Sequence, residues 1–304
     1  MFENIRCAVV GSINMDIILN TDRLPLEGES LPGNSYAYAC GGKGANQATG
    51  LARLGAKTAM IGKVGDDANG HRLIENLKKN GIDTSNVSLE GSQSGLAAIL
   101  LEKGGKNRII VFEGANAEID PDTAADCITD DLDLLLVQFE TKEEVVVKAV
   151  NRAVEKGITT VVDCGPAKNF PLEKIQGITI VSPNESETKE LTGIYPEDEE
   201  SMLRASQILY ERSKAKYVVL KLGARGCSVF DGTDFTICPP YPAEVVDTTA
   251  AGDSFTAAMS LEFKRSGNIY SACDMGNKAG SIAVSRMGAD ASMPTAQEVM
   301  NIQR

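Results

Sequence analysis

At 304 residues the chain is long enough for one large α/β domain with an appendage, rather than two equal domains. Its 42 acidic residues against 30 basic ones give a formal charge of -12, with no dense Lys/Arg run, which argues against nucleic acid or an anionic membrane as the main partner. Seven cysteines without C-x-x-C spacing and a single histidine speak against a zinc ribbon or a histidine triad, and no apolar stretch is long enough to span a bilayer. The N-terminus lacks a basic segment leading into a long apolar core, so a cytoplasmic protein with reduced thiols is the expectation.

Short β-branched runs alternate with helical periodicity along the chain. Cys7–Val10 reads as a strand, residues 14–39 alternate without a helical period, and the turn Gly41-Gly42-Lys43-Gly44 leads into a helix over Ala45–Leu54. A strand over Thr58–Ile61 and a helix over Leu73–Asn80 follow, with His71 near the helix start, where a solvated role is expected. Leu96–Leu101, the turn Gly104-Gly105-Lys106-Asn107 and Arg108–Phe112 read as a hairpin. Strands at Leu134–Phe139, Thr159–Val162, Thr179–Val181 and Tyr217–Leu220 then alternate with helices at Lys142–Lys156 and Met202–Ser213. A small and apolar segment over Phe255–Phe263 continues a further helix, and Thr295 and Glu298 have capping-box spacing.

Near-continuous apolar strands between helices mean a parallel sheet covered on both faces. The expected fold is a single three-layer α/β domain over residues 1–304, its central sheet mainly parallel and flanked by helices. Two insertions, about 14–39 and 95–113, break the rhythm and are expected to join in one small antiparallel sheet, the usual shape of a lid.

The most informative stretch is Asp247-Thr248-Thr249-Ala250-Ala251-Gly252-Asp253. Small residues at a helix start let backbone N–H groups approach an anion. Asp253 would repel a phosphate unless it faces a hydroxyl that loses its proton on phosphorylation, so the turn suggests phosphoryl transfer to an alcohol. A lone Gly-Asp would equally be an ordinary helix cap. Neither a P-loop nor a dinucleotide G-x-G-x-x-G is present, so residues 250–253 are the best place for nucleotide phosphates.

Three further constellations follow strands, where α/β proteins bind ligands. Asn14, Asp16, Lys43, Asn46 and Glu140 mix donors and acceptors in a way that suits a polyol. Asn184 and Glu187, three apart, share a helical face and can hold a hydrated Mg²⁺, or else serve as an ordinary cap with a first-turn acid. Lys221-Leu222-Gly223-Ala224-Arg225-Gly226 is a strand-end turn open to a nucleotide.

With these residues in view, the chain resembles the ribokinase branch of the PfkB carbohydrate-kinase family over almost its whole length. The resemblance is carried by Gly-Ser-Ile-Asn-Met-Asp at 11–16, Gly-Gly-Lys-Gly-Ala-Asn-Gln at 41–47, Gly-Ala-Asn-Ala at 114–117, Pro-Asn-Glu-Ser-Glu at 183–187, the run at 247–253 and Ile-Ala-Val-Ser-Arg-Met-Gly-Ala at 282–289. It implies ATP-dependent phosphorylation of D-ribose at the 5-hydroxyl, with Asp253 as base and the backbone of Ala250, Ala251 and Gly252 as anion hole. It implies a ribose site of Asn14, Asp16, Gly42, Lys43, Asn46 and Glu140, and Mg²⁺ held through water by Asn184 and Glu187. Lys221, Gly223 and Gly226 match the nucleotide loop, and Asn277 the adenine side. Asp247, Thr249, Ala283, Arg286, Gly288 and Ser292 match the loop for an activating K⁺. A homodimer joined through the lid sheet is also implied.

Three residue patterns depart from the family. Lys221 stands where many ribokinases carry a small hydroxyl residue, Asp163-Cys164-Gly165-Pro166 replaces the more usual Asn-Pro-Ala-Pro, and Met15 and Cys40 flank the sugar motifs. A family kinase for deoxyribose, a nucleoside or another sugar is the alternative, and a non-catalytic sugar or nucleotide sensor is the reading from a different class.

Overall fold

The computed structural model describes residues 1–103, 107–167 and 169–303, so the turn read at Gly104–Lys106 lies outside the described residues. The chain opens with β1 (Arg6–Val10), β2 (Asn14–Thr21), β3 (Ser35–Gly41), α1 (Lys43–Arg53), β4 (Lys57–Val64), α2 (Ala68–Lys79) and β5 (Asp83–Leu89). It continues through β6 (Gly95–Glu102), β7 (Asn107–Phe112), α3 (Pro121–Asp126), β8 (Leu134–Gln138), α4 (Glu143–Glu155), β9 (Thr159–Asp163) and β10 (Ile180–Ser182). The last part holds α5 (Glu185–Thr192), α6 (Glu199–Ser213), β11 (Tyr217–Lys221), β12 (Cys227–Phe230), β13 (Phe235–Cys238), α7 (Ala251–Ser266), α8 (Ile269–Val284) and α9 (Ala296–Asn301).

The large sheet runs β13-β12-β11-β10-β9-β8-β1-β4-β5. It is parallel from β11 to β5; β12 runs antiparallel to β11, and β13, antiparallel to β12, returns to the common direction. Because successive strand residues point to opposite faces, each strand feeds two cores. Val9, Met60, Leu134, Leu136, Val161, Ile180 and Val219 pack with residues of α1, α2, α7 and α8. Val10, Leu135, Val137, Val162, Val181, Val218 and Leu220 pack with residues of α3, α4, α5 and α6 on the other side. The expected three-layer α/β architecture is therefore what forms.

Helix ends follow the sequence closely. Asp67, Asn184, Asp198, Asn268 and Thr295 each accept a first-turn N–H, and the Thr295–Glu298 capping box forms as expected. The helix read at Leu73–Asn80 begins one turn earlier, at Asp67. His71 lies exposed in that first turn, 3.1 Å from Asp66 Oδ1.

The second sheet has the order β3-β2-β6-β7. Its outer pairings are antiparallel as expected, but the central one, β2 with β6, is parallel. The reason lies in the large sheet. β1 and β5 point the same way, so the chain leaves both at the same edge and β2 and β6 set out side by side in one direction.

α1 sits unusually close to the β1–β2 connection. A Cβ at Gly44 would lie 2.7 Å from the Gly11 backbone, and one at Gly11 would lie 2.9 Å from Gly44 Cα. This pair of glycines lets the first turn of α1 reach the carboxyl edge of the sheet.

Candidate active site

The parallel strands all end at one edge, and most of the candidate residues collect there. Asn14 follows β1, Glu140 follows β8, Asp163 ends β9, Glu187 lies just beyond β10, and Lys221 ends β11. The N-termini of α1 and α7 bring Lys43, Asn46, Gln47 and Asp253 to the same place.

Asp253 is buried in the first turn of α7, where its carboxylate accepts from Asn46 Nδ2 and from Gln47 Nε2, each at 3.0 Å. Lys43 Nζ stands 4.0 Å away. Gln47 Nε2 also lies 3.2 Å from Asp163 Oδ2, so one amide group bridges two buried carboxylates. Asp163 is fully buried and takes Lys221 Nζ at 2.6 Å, Thr256 Oγ1 at 3.1 Å and the Gly165 N–H at 3.1 Å, with Lys43 Nζ at 3.9 Å.

These surroundings push the two carboxyls in opposite directions. Burial opposes ionisation of Asp163, but the Lys221 and Lys43 ammonium groups outweigh it and hold its pKa below the usual range. Burial raises Asp253, helped by the neighbouring Asp163 charge, and Lys43 only partly offsets this. Asp163 is thus a fixed counter-charge and Asp253 a carboxyl poised to exchange a proton. Lys43 stays firmly protonated: burial disfavours its charge, and Asp163, Asp253, Glu187 and Glu140 together overcome that.

The sugar-type residues form one cluster around the start of β2. Asn14 Oδ1 accepts from Asn116 Nδ2 at 2.7 Å, and Asn116 Oδ1 takes the Ile13 N–H at 2.9 Å. Glu140 accepts from the Lys43 backbone N–H at 3.0 Å and from the Ser12 hydroxyl, tying the Gly42–Lys43 turn to β8. Burial, with the Glu140 and Asp253 charges adding to it, pushes the Asp16 carboxyl up to about 7.

Ala250 adopts a left-handed conformation, φ 58, immediately before α7. Such strain in a residue with a Cβ persists only where the surroundings fix it. It turns the chain into α7, whose first amides lack intrahelical acceptors. The Ala251 N–H makes a long contact of 3.3 Å to Thr248 O. Lys221 Nζ lies beneath this turn, 3.8 Å from where a Cβ on Gly252 would stand.

The remaining candidates divide by what already occupies them. Asn184 Oδ1 accepts the Glu187 N–H at 2.9 Å and the Ser186 hydroxyl at 2.8 Å, while Glu187 Oε2 takes the Asn184 N–H at 2.8 Å. Asn184 is therefore the helix cap. The other oxygen of Glu187 crowds Gly165 together with Lys43, since a Cβ there would lie 2.4 Å from Oε1 and 2.7 Å from Lys43 Nζ. Burial raises the Glu187 carboxyl although Lys221 and Lys43 favour its charge; once ionised, its nearly buried oxygens are hard donors of the kind a hydrated divalent cation takes.

Gly223 and Gly226 lie in the turn between β11 and β12, both at positive φ. Asn277, on α8, donates to Cys238 O at 3.3 Å and Pro239 O at 3.1 Å. Asp247 joins the two segments of the last group, accepting from Thr249 N at 2.9 Å and from Gly288 N at 2.8 Å. Val284 O receives two backbone N–H groups, from Val246 at 2.8 Å and Asp247 at 3.1 Å. The Ala283 carbonyl accepts from Arg286 N, Arg286 pairs with Glu298, and buried Ser292 donates to Ala289 O at 2.7 Å.

Gln47, Thr256, Ser12 and Asn116 were not among the residues singled out from the sequence, and Asp163 was noted only as a departure. Gln47 had a signal: Lys43, Asn46 and Gln47 stand at i, i+3 and i+4 on one helix face. Asp163 ends a parallel strand, another readable cue. Asn116 lay in the Gly-Ala-Asn-Ala run that carried the resemblance, but its partners, 102 and 103 residues away, could not be read from spacing.

Residues 4–296 match the pfkB family of carbohydrate kinases. The ribokinase of Bacillus subtilis is 37% identical over 294 residues, covering 96% of this chain and 97% of that protein. The bifunctional ribokinase/ribose-5-phosphate isomerase A of Fructilactobacillus sanfranciscensis is 38% identical over 301 residues, and the chain spans 55% of its length. The solved structure of Arabidopsis thaliana ribokinase complexed with ribose and ATP superposes with a TM-score of 0.86 at 32% identity, covering 99% of this chain and 98% of that one.

Gln47 stabilises the charged form of Asp253, so Gln47→Leu is expected to raise the Asp253 pKa further, with a loss of about 1–3 kcal/mol in stability near neutral pH from the stranded carboxylates. Carboxyl ¹³C NMR titration and denaturant unfolding check this, and an unchanged or lowered Asp253 pKa would reject the bridging role.

Proposed function

This chain belongs to the pfkB family of carbohydrate kinases, and we propose that it transfers the terminal phosphoryl group of ATP to the 5-hydroxyl of D-ribose, giving ribose 5-phosphate and ADP. The observation that carries the reading is Asp253: a buried carboxyl with a raised pKa, at a helix N-terminus, among Asn46, Gln47 and Lys43. Asn14, Asp16, Gly42, Lys43, Asn46 and Glu140 hold the sugar through its hydroxyls. A site built on such hydrogen bonds discriminates against acceptors that lack them.

An alcohol is too weak an acid for a carboxylate to ionise in advance. In a loose transition state the proton leaves late, so Asp253 orients the hydroxyl and takes its proton as the P–O bond forms. The raised pKa suits that task, because it brings the acceptor closer in basicity to the alkoxide it relieves. The amides of Ala250, Ala251 and Gly252 receive the charge that develops on the transferred group. Lys221, beside Gly252 and anchored by Asp163, adds a cation to the nucleotide side formed with Gly223, Gly226 and Asn277.

Glu187 and Asn184 suit Mg²⁺ held through water, Glu187 supplying the charge and Asn184 fixing its helix turn; the ion would neutralise phosphate oxygens. Oxygens of the Asp247–Thr249 and Ala283–Ser292 segments, Arg286 and Gly288 included, are the proposed monovalent-cation loop for K⁺. Its hydrogen bonds to the turn before α7 would make cation binding felt at the anion hole.

The domain reading is a single unit over 1–304 with the small sheet as a lid that excludes water and suppresses ATP hydrolysis. The lid presents exposed Tyr36, Tyr38, Ile109, Ile110 and Phe112, an apolar surface in keeping with a homodimer joined there. Among the described residues no helix is long and apolar enough to cross a membrane, and no disulfide joins the cysteines. Reduced thiols suit the cytoplasm.

ADP release should depend on ribose, exceed that with deoxyribose, fructose or adenosine, and fall when K⁺ is replaced by Na⁺. Turnover with another acceptor alone would overturn the sugar assignment. Asp253→Asn should cut turnover by roughly 10²–10⁴ with ATP binding retained; near-normal turnover would remove Asp253 from its role. Tyr36→Asp combined with Ile110→Asp should sediment as a monomer where the parent sediments as a dimer, and identical sedimentation would reject the lid interface.

A further inference from the structure

Three cysteines, two from one hairpin and the third 35 residues further on, meet in the second half of the fold. Cys227 opens β12, Cys238 ends β13 directly opposite it, and Cys273 reaches them from α8. All three are buried, and their sulfurs lie within 4.8 Å of one another. Asn277, one helical turn beyond Cys273, lies 3.7 Å from Cys227 Sγ through its Nδ2 and donates to Cys238 O and Pro239 O. Buried cysteine usually packs as a small hydrophobe. Three sulfurs converging from three elements also form a ready trigonal ligand set.

The charge of the product decides which ligand this set takes. Three thiolates around a divalent ion leave a net charge of −1, and around a monovalent ion −2, by simple addition. Buried uncompensated charge is costly. A trivalent thiophilic centre is the kind that three thiolates render neutral, which is what a buried trigonal set of sulfurs can accommodate.

We propose that Cys227, Cys238 and Cys273 form a binding site for trivalent arsenic. As(OH)₃ and three thiols give As(SCys)₃ and three waters: three As–O and three S–H bonds break, three As–S bonds form, and arsenic stays trivalent throughout. Entry is through β13, the edge strand of the large sheet, whose Cys238 is the most exposed of the three. Local opening of an edge strand requires less than global unfolding.

Drawing the sulfurs together pulls on the β12 start, the β13 exit and the turn of α8 that carries Asn277. That consequence rests on the reading of this region as the nucleotide side, whereas the binding itself does not. Arsenite is then expected to raise the KM for ATP while leaving the KM for ribose in place, and ATP should weaken arsenite binding by the same coupling.

The test uses the reduced full-length chain and sodium arsenite. Native mass spectrometry should find one arsenic per chain with three protons lost. Rapid alkylation of that adduct in denaturant, where buried Cys7 and Cys164 also come within reach, should label Cys7, Cys40, Cys127 and Cys164 but spare the other three, whereas the arsenite-free chain should be labelled at all seven. Cys227→Ala, Cys238→Ala and Cys273→Ala should each weaken binding by more than the roughly 10–100-fold cost of removing a supporting partner from a metal site, while Cys7→Ala should not. The labelling needs no variant, so a misfolded substitution leaves the test intact. No adduct at millimolar arsenite, or an adduct that leaves the three cysteines open to alkylation, would overturn the site. An adduct with an unchanged KM for ATP would keep the site and remove its coupling to the nucleotide region.

Discussion

Two carboxylates, Asp163 and Asp253, are buried side by side at the carboxyl edge of the sheet, and one amide, Gln47 Nε2, touches both. Like charges this close in a low-dielectric setting cannot both ionise freely. The fold resolves the conflict by giving them unequal partners. Lys221 is committed to Asp163 at 2.6 Å, while Lys43 stands near 4 Å from each. Asp163 is therefore fixed as an anion, and Asp253 is left with a raised pKa.

That division depends on elements from the whole length of the chain. Asp163 belongs to β9, Lys221 to β11, Asp253 to α7, and Lys43 and Gln47 to α1. Parallel strands bring the first two to the same edge, since each strand must end where its neighbours end. The Gly11–Gly44 approach carries α1 down to meet them. A different residue at either position would lift the helix and break the bridge through Gln47, so a packing constraint and an electrostatic one are the same constraint here. The two departures from the family noted in the sequence, Asp163 and Lys221, turn out to be partners. Each alone would strand a buried charge, and together they neutralise one another.

The fold was legible because each signal was local. Strands such as Thr159–Val162 and Tyr217–Leu220 read from β-branched runs, and the capping box at Thr295 read from spacing alone. β12 and β13 were missed, being four residues each, and α8 was not read as an element either. The parallel pairing of β2 with β6 was not legible either. Pairing direction is set by where the chain leaves the large sheet, and alternation within a strand says nothing about that.

By itself the sequence determined most element types, the two-sided burial of the sheet, and the candidate groups for chemistry: small residues before Asp253, a polar set around Asn14 and Asp16, and a lysine among glycines. Composition and short-range spacing encode these because they depend on neighbours within a turn or two. Only the tertiary structure decided which carboxylate is held ionised and which is raised, that Asn184 is a cap while Glu187 turns an oxygen to the centre, and that Cys227, Cys238 and Cys273 meet. Most of those outcomes depend on which strand ends and helix faces come together, and on the loss of water around them, neither of which exists until the chain has folded.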